Sequence, residues 1–366
     1  MKIGIDGRAF QGNLTGIGKY VSELCRVLDK YLPDARFYIY SQLPICMPVN
    51  SKRWIHRQDP SILAKYMKSV LWLKLSCGRL CSQDDLDAFW SIGHFSPRLS
   101  KKIKRILIVH DVIFRVLPES MPLFHLSSHK LFFKKEVNRA NLIITNSMGT
   151  SERLNQYYGR NADIIINPPV SKSFYPRSRQ QIQKFLKKYN ISSPYLLSVA
   201  KKAPIKNLQM LIRVYIKMKK EGSLPKHNLV LVGGDGWRYK GTHSLLSRNE
   251  NNGIIDLGYI PENELPILYS GSDIFIFPSI YEGFGIPVLE ARMCGARIVT
   301  SDIPELHEAG GDNAIYIVPS EEGIKKGILE CINNKSDINC NKQIHHSAEA
   351  KAIELARAFK DLVTEL

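Results

Sequence analysis

Short apolar segments rich in isoleucine and valine alternate with amphipathic stretches along most of the chain. In two of these stretches, 18–32 and 208–218, apolar residues recur every three or four positions, which predicts helices. Strands that alternate with helices indicate parallel sheets with both faces covered. The predicted strands are 2–6, 37–40, 88–91, 106–110, 142–145 and 164–166 in the first half, and 195–199, 229–232, 254–257, 274–277, 297–300 and 315–318 in the second.

The alternation is interrupted near 167–193, where prolines punctuate a basic stretch. A chain of 366 residues is also too long for one small core. We therefore predict two doubly wound, Rossmann-like α/β domains, at 1–175 and 190–345, followed by a helix at 346–366. Ligands of open α/β sheets bind beyond the carboxyl ends of the strands, so we expect the two domains to face a cleft there.

The composition is that of a globular chain, with 44% hydrophobic and 23% charged residues. The seven cysteines show no zinc spacing, and no run of eighteen apolar residues predicts a membrane-spanning helix. The N-terminus turns polar at once and does not resemble a signal peptide. We therefore expect a cytoplasmic protein with reduced thiols.

The net charge is +17, from 51 lysines and arginines against 34 acidic residues. Residues 264–330 are acidic, whereas 98–105 and 172–188 are strongly basic. Such basic runs suit nucleic acid, anionic lipid or phosphorylated substrates. No helix-turn-helix, zinc or stacked-aromatic pattern accompanies them. We therefore expect no nucleic-acid partner and keep a nucleic-acid-binding protein only as the alternative from another class.

The segment 278–295 carries the clearest chemistry. Glu282 and Glu290 stand eight positions apart, with a Gly-Phe-Gly turn between them and Pro287 where a helix begins. Backbone amides at a helix N-terminus favour phosphate, and carboxylates accept hydrogen bonds from sugar hydroxyls. We expect Glu282 in the loop and Glu290 within the first helical turn, beside one phosphate-and-sugar site.

This segment resembles the E-x7-E signature of retaining glycosyltransferases of family 4, which have the two-domain GT-B fold. The resemblance implies that Glu282 contacts hydroxyls of the transferred sugar and that Glu290 holds the ribose of the donor. It also implies that the C-terminal helix crosses back to the N-terminal domain. The turn residues implied to bind the donor diphosphate are Gly283, Phe284, Gly285 and Ile286.

Residues 200–208 are similar to the family's Gly-(Arg or Thr)-x-x-Pro-Arg-Lys-Asn loop, whose cations grip the diphosphate. Lys206 matches the family's lysine, but Ala200 and Ile205 replace the usual glycine and arginine. Lys201 is our candidate for the missing charge, although a lysine lacks the planar fork of an arginine. By the same resemblance, the loop at Tyr259 and Ile260 lies beside the nucleobase.

Two further residues lie in the N-terminal half. Gly16 belongs to a glycine-rich turn that, by the resemblance, closes over the diphosphate, and His110 ends a strand near the sugar. No Asp-x-Asp motif stands at a strand end, and we interpret 84–87 as a turn. We therefore predict a metal-independent enzyme without a cofactor. Glu282 is interpreted as a ligand of the sugar rather than a nucleophile.

The expected activity is transfer of a hexose from a nucleotide sugar to a polyprenyl-diphosphate-linked glycan. The runs Ile-Asp-Gly-Arg at 5–8, Gly-Ile-Gly-Lys-Tyr at 16–20 and Ile-Pro-Glu-Leu at 303–306 resemble mannosyltransferases of O-antigen, a part of lipopolysaccharide. This resemblance makes GDP-mannose the leading donor. UDP-hexoses and dTDP-rhamnose are alternatives, and a GT-B epimerase is disfavoured by the E-x7-E turn.

Residues 61–80, drawn as one helix, have a broad apolar face opposite a basic face that includes Trp72. Such a helix suits an anionic membrane surface, and a peripheral position on the inner face of the cell membrane is the expectation. The alternative is a helix packed on its own domain with its lysines in water.

Overall fold

The computed structural model describes residues 1–12, 14, 16–224, 226–236, 240–247, 252–334 and 344–364. The chain divides into two compact units, Met1–Pro169 with Gln343–Leu366, and Val170–Lys342. None of the helices in these described ranges is long and apolar enough to cross a membrane.

The described residues of the N-terminal unit form a seven-stranded parallel sheet in the order β3-β2-β1-β4-β5-β6-β7. The direction of winding reverses between β1 and β4, as in a doubly wound fold. The strands are β1 Lys2–Asp6, β2 Arg36–Ser41, β3 Trp54–Gln58, β4 Ala88–Ser91, β5 Lys104–Val109, β6 Leu142–Thr145 and β7 Ile164–Ile165. The helices are α1 Gly16–Tyr31, α2 Ile62–Tyr66, α3 Ser69–Trp72, α4 Gly78–Cys81, α5 Ile113–Val116, α6 Leu123–Arg139 and α7 Met148–Tyr158.

The described residues of the C-terminal unit form a six-stranded parallel sheet in the order β10-β9-β8-β11-β12-β13. The winding reverses between β8 and β11. The strands are β8 Tyr195–Val199, β9 Asn228–Val232, β10 Ile254–Asp256, β11 Ile274–Phe277, β12 Ile298–Ser301 and β13 Ile315–Ile317. The helices are α8 Arg179–Lys188, α9 Leu208–Lys220, α10 Lys240–Ser247, α11 Leu265–Gly271, α12 Ile286–Met293, α13 Pro304–Gly310 and α14 Glu321–Asn333. The predicted doubly wound α/β class is confirmed for both units.

The last helix, α15 (Ile344–Thr364), belongs to the N-terminal unit. Leu355, Ala356 and Phe359 are buried in the core that also contains β1 and α1. The Phe359 ring meets Trp90 of β4 edge to face, with centroids 5.5 Å apart. Such aromatic contacts contribute on the order of 1 kcal/mol beyond the area they bury.

Two elements escaped prediction because their apolar residues are few. β3 lies at the sheet edge, and its second half, His56, Arg57 and Gln58, is partly or fully exposed, so no apolar run marks it. α8 lies inside the predicted break between domains. It begins with a capping box formed by Ser178 and Gln181, and buries only Phe185 and Leu186 among its lysines and glutamines.

The single amphipathic helix predicted for 61–80 is wrong. The chain leaves the helical conformation at Met67 and Lys68, so that α2 and α3 are separate, and a π-helical turn, Leu73–Cys77, joins α3 to α4. Trp72, expected on the exposed basic face, is fully buried, and its indole N–H donates to Asp59 at 2.8 Å. The apolar residues of α2, Ile62, Leu63 and Tyr66, instead stand in solvent.

Candidate functional site

Two loops of the C-terminal unit are joined at the carboxyl ends of β8 and β11. These strands are neighbours in the sheet, and the amide of Ile280 donates to the carbonyl of Ile205 at 2.8 Å. Lys206 follows Ile205 directly, and Glu282 lies two positions after Ile280, so the two side chains are brought together. Lys206 Nζ lies 2.5 Å from Glu282 Oε1. Residues 76 positions apart in sequence thus form one hydrogen-bonded ion pair.

The pair is largely shielded from water. The Lys206 and Glu282 side chains are 19% and 10% exposed, and the ammonium lies 5.5 Å from the centroid of the Phe277 ring. Charged partners in such surroundings form stronger hydrogen bonds than neutral ones, and each offsets the cost of burying the other. Without a ligand, Lys206 is therefore neutralised by the carboxylate beside it.

The turn after Glu282 requires glycine at position 285. Gly285 has a left-handed conformation with φ +96° and is the N-cap of α12. A Cβ atom there would lie 2.4 Å from Leu306 Cδ2, so a side chain is excluded by packing as well. Phe284 is buried, while Gly283 and Ile286 are partly exposed.

Glu290 is the fifth residue of α12, so the prediction that it lies in the first helical turn is wrong. The helix begins at Ile286, which makes Pro287 its second residue. The phenol of Tyr269, at the end of α11, donates to Glu290 Oε2 at 2.8 Å. Burial raises the pKa of the Tyr269 phenol well above its usual value, so it remains a donor that fixes this carboxylate.

The basic loop after β8 divides its lysines between two environments. Lys201 is exposed and makes no ion pair with the described part of the chain. Lys202, which matches no predicted site position, is buried: its Nζ lies 2.9 Å from the Gly233 carbonyl and 3.2 Å from Asp256 Oδ2. Asp256 also accepts the Gly258 amide, so Lys202 anchors the loop that follows β10. In that loop Tyr259 is 79% exposed, whereas Ile260 is buried.

Gly16 and His110 belong to the other unit. Gly16 is the first residue of α1 and is exposed; an added Cβ would meet nothing within 4 Å among the described residues. His110 follows β5 and is buried, with its ring Nε2 2.9 Å from the Ile92 carbonyl. Burial lowers the pKa of His110 to about 4, so the imidazole is neutral at pH 7.

The segment 84–87 is a turn, as interpreted from the sequence. Asp84 is buried, accepts a hydrogen bond from the Tyr40 hydroxyl at 2.8 Å and pairs with Arg57. Asp87 accepts the Lys2 amide at 2.7 Å. These two carboxylates therefore serve the fold.

The sequence around this pair is similar to that of a known family. Residues 180–351, which contain the Lys206–Glu282 pair and α12, match the model of the family described as "Glycosyl transferases group 1". Over 238 residues, 64% of this chain, it is 29% identical to O-antigen chain mannosyltransferase B of Escherichia coli. It is 30% identical, over 63% of this chain, to O-antigen chain mannosyltransferase RfbU of Salmonella typhimurium. The matches span 62% and 61% of those two proteins.

The fold as a whole is similar to that of sucrose-phosphate synthase from Thermosynechococcus elongatus. The TM-score is 0.75 over the full length of both chains, at 15% sequence identity. The predicted GT-B fold class is therefore confirmed.

Substitution of Lys202 tests whether this lysine anchors the site. Lys202→Met removes the hydrogen bond to the Gly233 carbonyl and the ion pair with Asp256, and we expect the free energy of unfolding to fall by about 1–2 kcal/mol. Lys201→Met, at the exposed neighbouring position, should change it by less than about 0.5 kcal/mol. Urea denaturation of both variants measures this difference. Equal stabilities would contradict the anchoring role of Lys202.

Proposed function

We propose that this protein is a retaining, metal-independent glycosyltransferase that moves a hexose from a nucleotide diphosphate sugar to a lipid-linked glycan. The observation that carries the proposal is the Lys206–Glu282 pair beside the start of α12, within the region that matches the group 1 glycosyltransferase model. A partly buried cation next to a helix N-terminus is suited to an anionic leaving group.

Lys206 and Glu282 have separable roles in this proposal. A bound diphosphate attracts the Lys206 ammonium, and negative charge that develops on the leaving group strengthens the attraction. The Glu282 carboxylate, relieved of the ammonium, accepts hydrogen bonds from hydroxyls of the transferred sugar. The acceptor hydroxyl then attacks the anomeric carbon from the face of the departing diphosphate, which takes up the hydroxyl proton, and Glu282 forms no covalent bond.

The surrounding residues hold the rest of the donor. The turn Gly283–Gly285 with Ile286 faces the diphosphate, Lys201 adds an exposed cation, and the loop with Tyr259 and Ile260 lies by the base. Glu290, fixed by Tyr269, accepts the ribose hydroxyls. In the N-terminal unit we propose that His110 contacts a hydroxyl of the sugar and that Gly16 contacts the diphosphate. Packing does not demand glycine at position 16, whereas close approach of a ligand to the backbone does.

The donor we propose is GDP-mannose, and the product belongs to O-antigen assembly. The support is the similarity to two proteins named as O-antigen chain mannosyltransferases. UDP-hexoses and dTDP-rhamnose remain the alternative donors. The proposed acceptor is a glycan on a polyprenyl diphosphate, which would bring the enzyme to an anionic membrane surface.

Nucleotide binding tests the proposal. In thermal unfolding with GDP, UDP, dTDP or a single-stranded oligonucleotide, we expect GDP to stabilise the protein most. Free ligand at a hundredfold excess over Kd stabilises a protein by about 2.7 kcal/mol. Stabilisation by UDP or dTDP alone would contradict the choice of donor. Stabilisation by the oligonucleotide alone would contradict the enzyme and favour the alternative class.

The surface of the N-terminal unit favours a membrane, although the residues differ from those expected. Exposed apolar side chains lie on α2 and α6. Lys68, just after α2, has its Nζ 3.9 Å from the centroid of the Phe124 ring of α6, so the chain after α2 adjoins the start of α6. Residues 61–81 contain no acidic residue, and the single one in α6, Glu136, is buried against Lys74. The exposed apolar residues are Ile62, Leu63, Tyr66, Leu123 and Leu131.

Vesicle flotation tests this membrane surface. We expect the protein to float with vesicles of phosphatidylglycerol but not of phosphatidylcholine, and to be released by salt, because cationic and apolar side chains act together. Leu63→Glu should abolish flotation without loss of stability, since this side chain is 76% exposed. Val318→Glu, at an apolar residue 68% exposed in the C-terminal unit, is the control and should float normally. Equal flotation with both lipids would contradict the proposal.

A further inference from the structure

Three histidines meet at the carboxyl edge of the N-terminal sheet. His94 follows β4, His110 follows β5, and His129 belongs to α6. β4 borders the point where the winding of the sheet reverses, which is where open α/β sheets bind ligands. His94 and His129 were not singled out from the sequence, because each lacks a motif and the contact between them is tertiary.

Their hydrogen bonds form a chain with a defined direction. The His110 backbone amide donates to His94 Nε2 at 3.1 Å. Because a backbone amide can only donate, His94 Nε2 carries no proton, and the proton of the neutral ring is on Nδ1. That Nδ1–H donates to His129 Nε2 at 3.2 Å. The proton of His129 is then on Nδ1, which donates to the His125 carbonyl at 2.7 Å.

The His110 ring has the opposite tautomer. Its Nε2 faces the Ile92 carbonyl at 2.9 Å, and a carbonyl can only accept, so Nε2 carries the proton. Nδ1 of His110 is therefore an acceptor. A hydroxyl donor, such as that of a sugar, complements it.

The surroundings favour the neutral rings that this chain needs. Phe114 stacks on His129 with centroids 4.5 Å apart, and Phe133 meets His94 edge to face at 5.4 Å. Burial lowers the pKa of His94 well below its usual value and also lowers that of His129. The protons thus stay where the hydrogen bonds place them at pH 7.

His94 has a left-handed backbone conformation. Its φ is +67°, which is uncommon for residues other than glycine. Non-glycine residues in this region cluster at functional sites, where the surrounding structure enforces the conformation. Here it presents Nε2 to the His110 amide.

We propose that His94, held in turn by His129, is a positioning residue that fixes the His110 peptide and thereby aims the His110 Nδ1 acceptor at a substrate hydroxyl. The inference rests on the proposed role of His110 and adds two residues to it. His94 and His129 themselves touch no substrate in this account.

Matched substitutions separate positioning from folding. In glutamine, Oε1 lies as many bonds from Cα as Nε2 does in histidine, so His94→Gln keeps an acceptor for the His110 amide and His94→Phe does not. With GDP-mannose as the probe, His94→Phe should lower kcat on the order of tenfold, the value of about one hydrogen bond. KM should change less than about twofold. His94→Gln should stay within about threefold of the wild-type kcat, and His125→Ala, whose carbonyl alone is used, should match it.

Either of two kinetic results would overturn the proposal. One is a His94→Phe enzyme with wild-type kcat. The other is an equal loss of kcat in His94→Phe and His94→Gln, since the acceptor atom would then be irrelevant.

Imidazole ¹⁵N NMR of the wild-type protein gives a readout independent of activity. The expected result is a proton on Nδ1 of His94 and of His129, and on Nε2 of His110. A proton on Nε2 of His94 would refute the chain even in an active enzyme. If the wild-type protein failed to turn over GDP-mannose while the NMR result was as expected, the proposed donor would be wrong and the histidine chain would stand.

Discussion

The hydrogen-bonded ion pair of Lys206 and Glu282 ties the candidate site to the sheet beneath it. The pairing of β8 with β11 sets the two loops side by side, and the Ile280 amide bound to the Ile205 carbonyl fixes their spacing. An ammonium held near the positive end of a helix would be unfavourable without a compensating carboxylate. Glu282 supplies that compensation. The same two side chains thus stabilise the ligand-free site and, in the proposed mechanism, become separately available when the donor binds.

The candidate residues of the N-terminal unit are neutral rather than charged. The chain from the His110 amide through His94 to His129 contains no charge, and burial among phenylalanines keeps it so. Neutral hydrogen bonds lose little on burial when every donor has an acceptor. The candidate residues of the C-terminal unit thus include a charged pair, and those of the N-terminal unit are neutral hydrogen-bonding groups.

Much of the fold could be predicted because parallel strands that are buried on both faces have sequences rich in isoleucine and valine. β1, β4, β6, β8 and β11 have the bounds that the sequence indicated. Amphipathic spacing was less reliable where a helix is interrupted, as at Met67, because periodicity reveals which side chains could share a face but not whether the backbone continues. The exposed apolar residues of the proposed membrane surface consequently lie on α2 and α6 rather than along one helix at 61–80.

The candidate site, like the fold, could be predicted from the sequence only in part. Motif spacing indicated Lys206 and Glu282, and the structure brings them together. Motif spacing did not indicate Lys202, His94 or Tyr269, because their roles depend on contacts with residues far away in the chain. From the sequence alone, a lysine in a basic run is expected to be exposed to solvent. Its burial becomes evident only when its carboxylate partner is known. Positioning residues of this kind become visible only when the tertiary structure supplies the partner.

Calorimetric titration of GDP into the wild-type protein and Glu282→Gln tests the central claim most directly. Glutamine has the shape of glutamate without its charge, so it no longer competes with the diphosphate for Lys206. The account predicts that Glu282→Gln binds GDP more tightly than the wild type, by on the order of tenfold, the value of about one charge-assisted hydrogen bond. GDP binding that is unchanged or weaker in Glu282→Gln would contradict it.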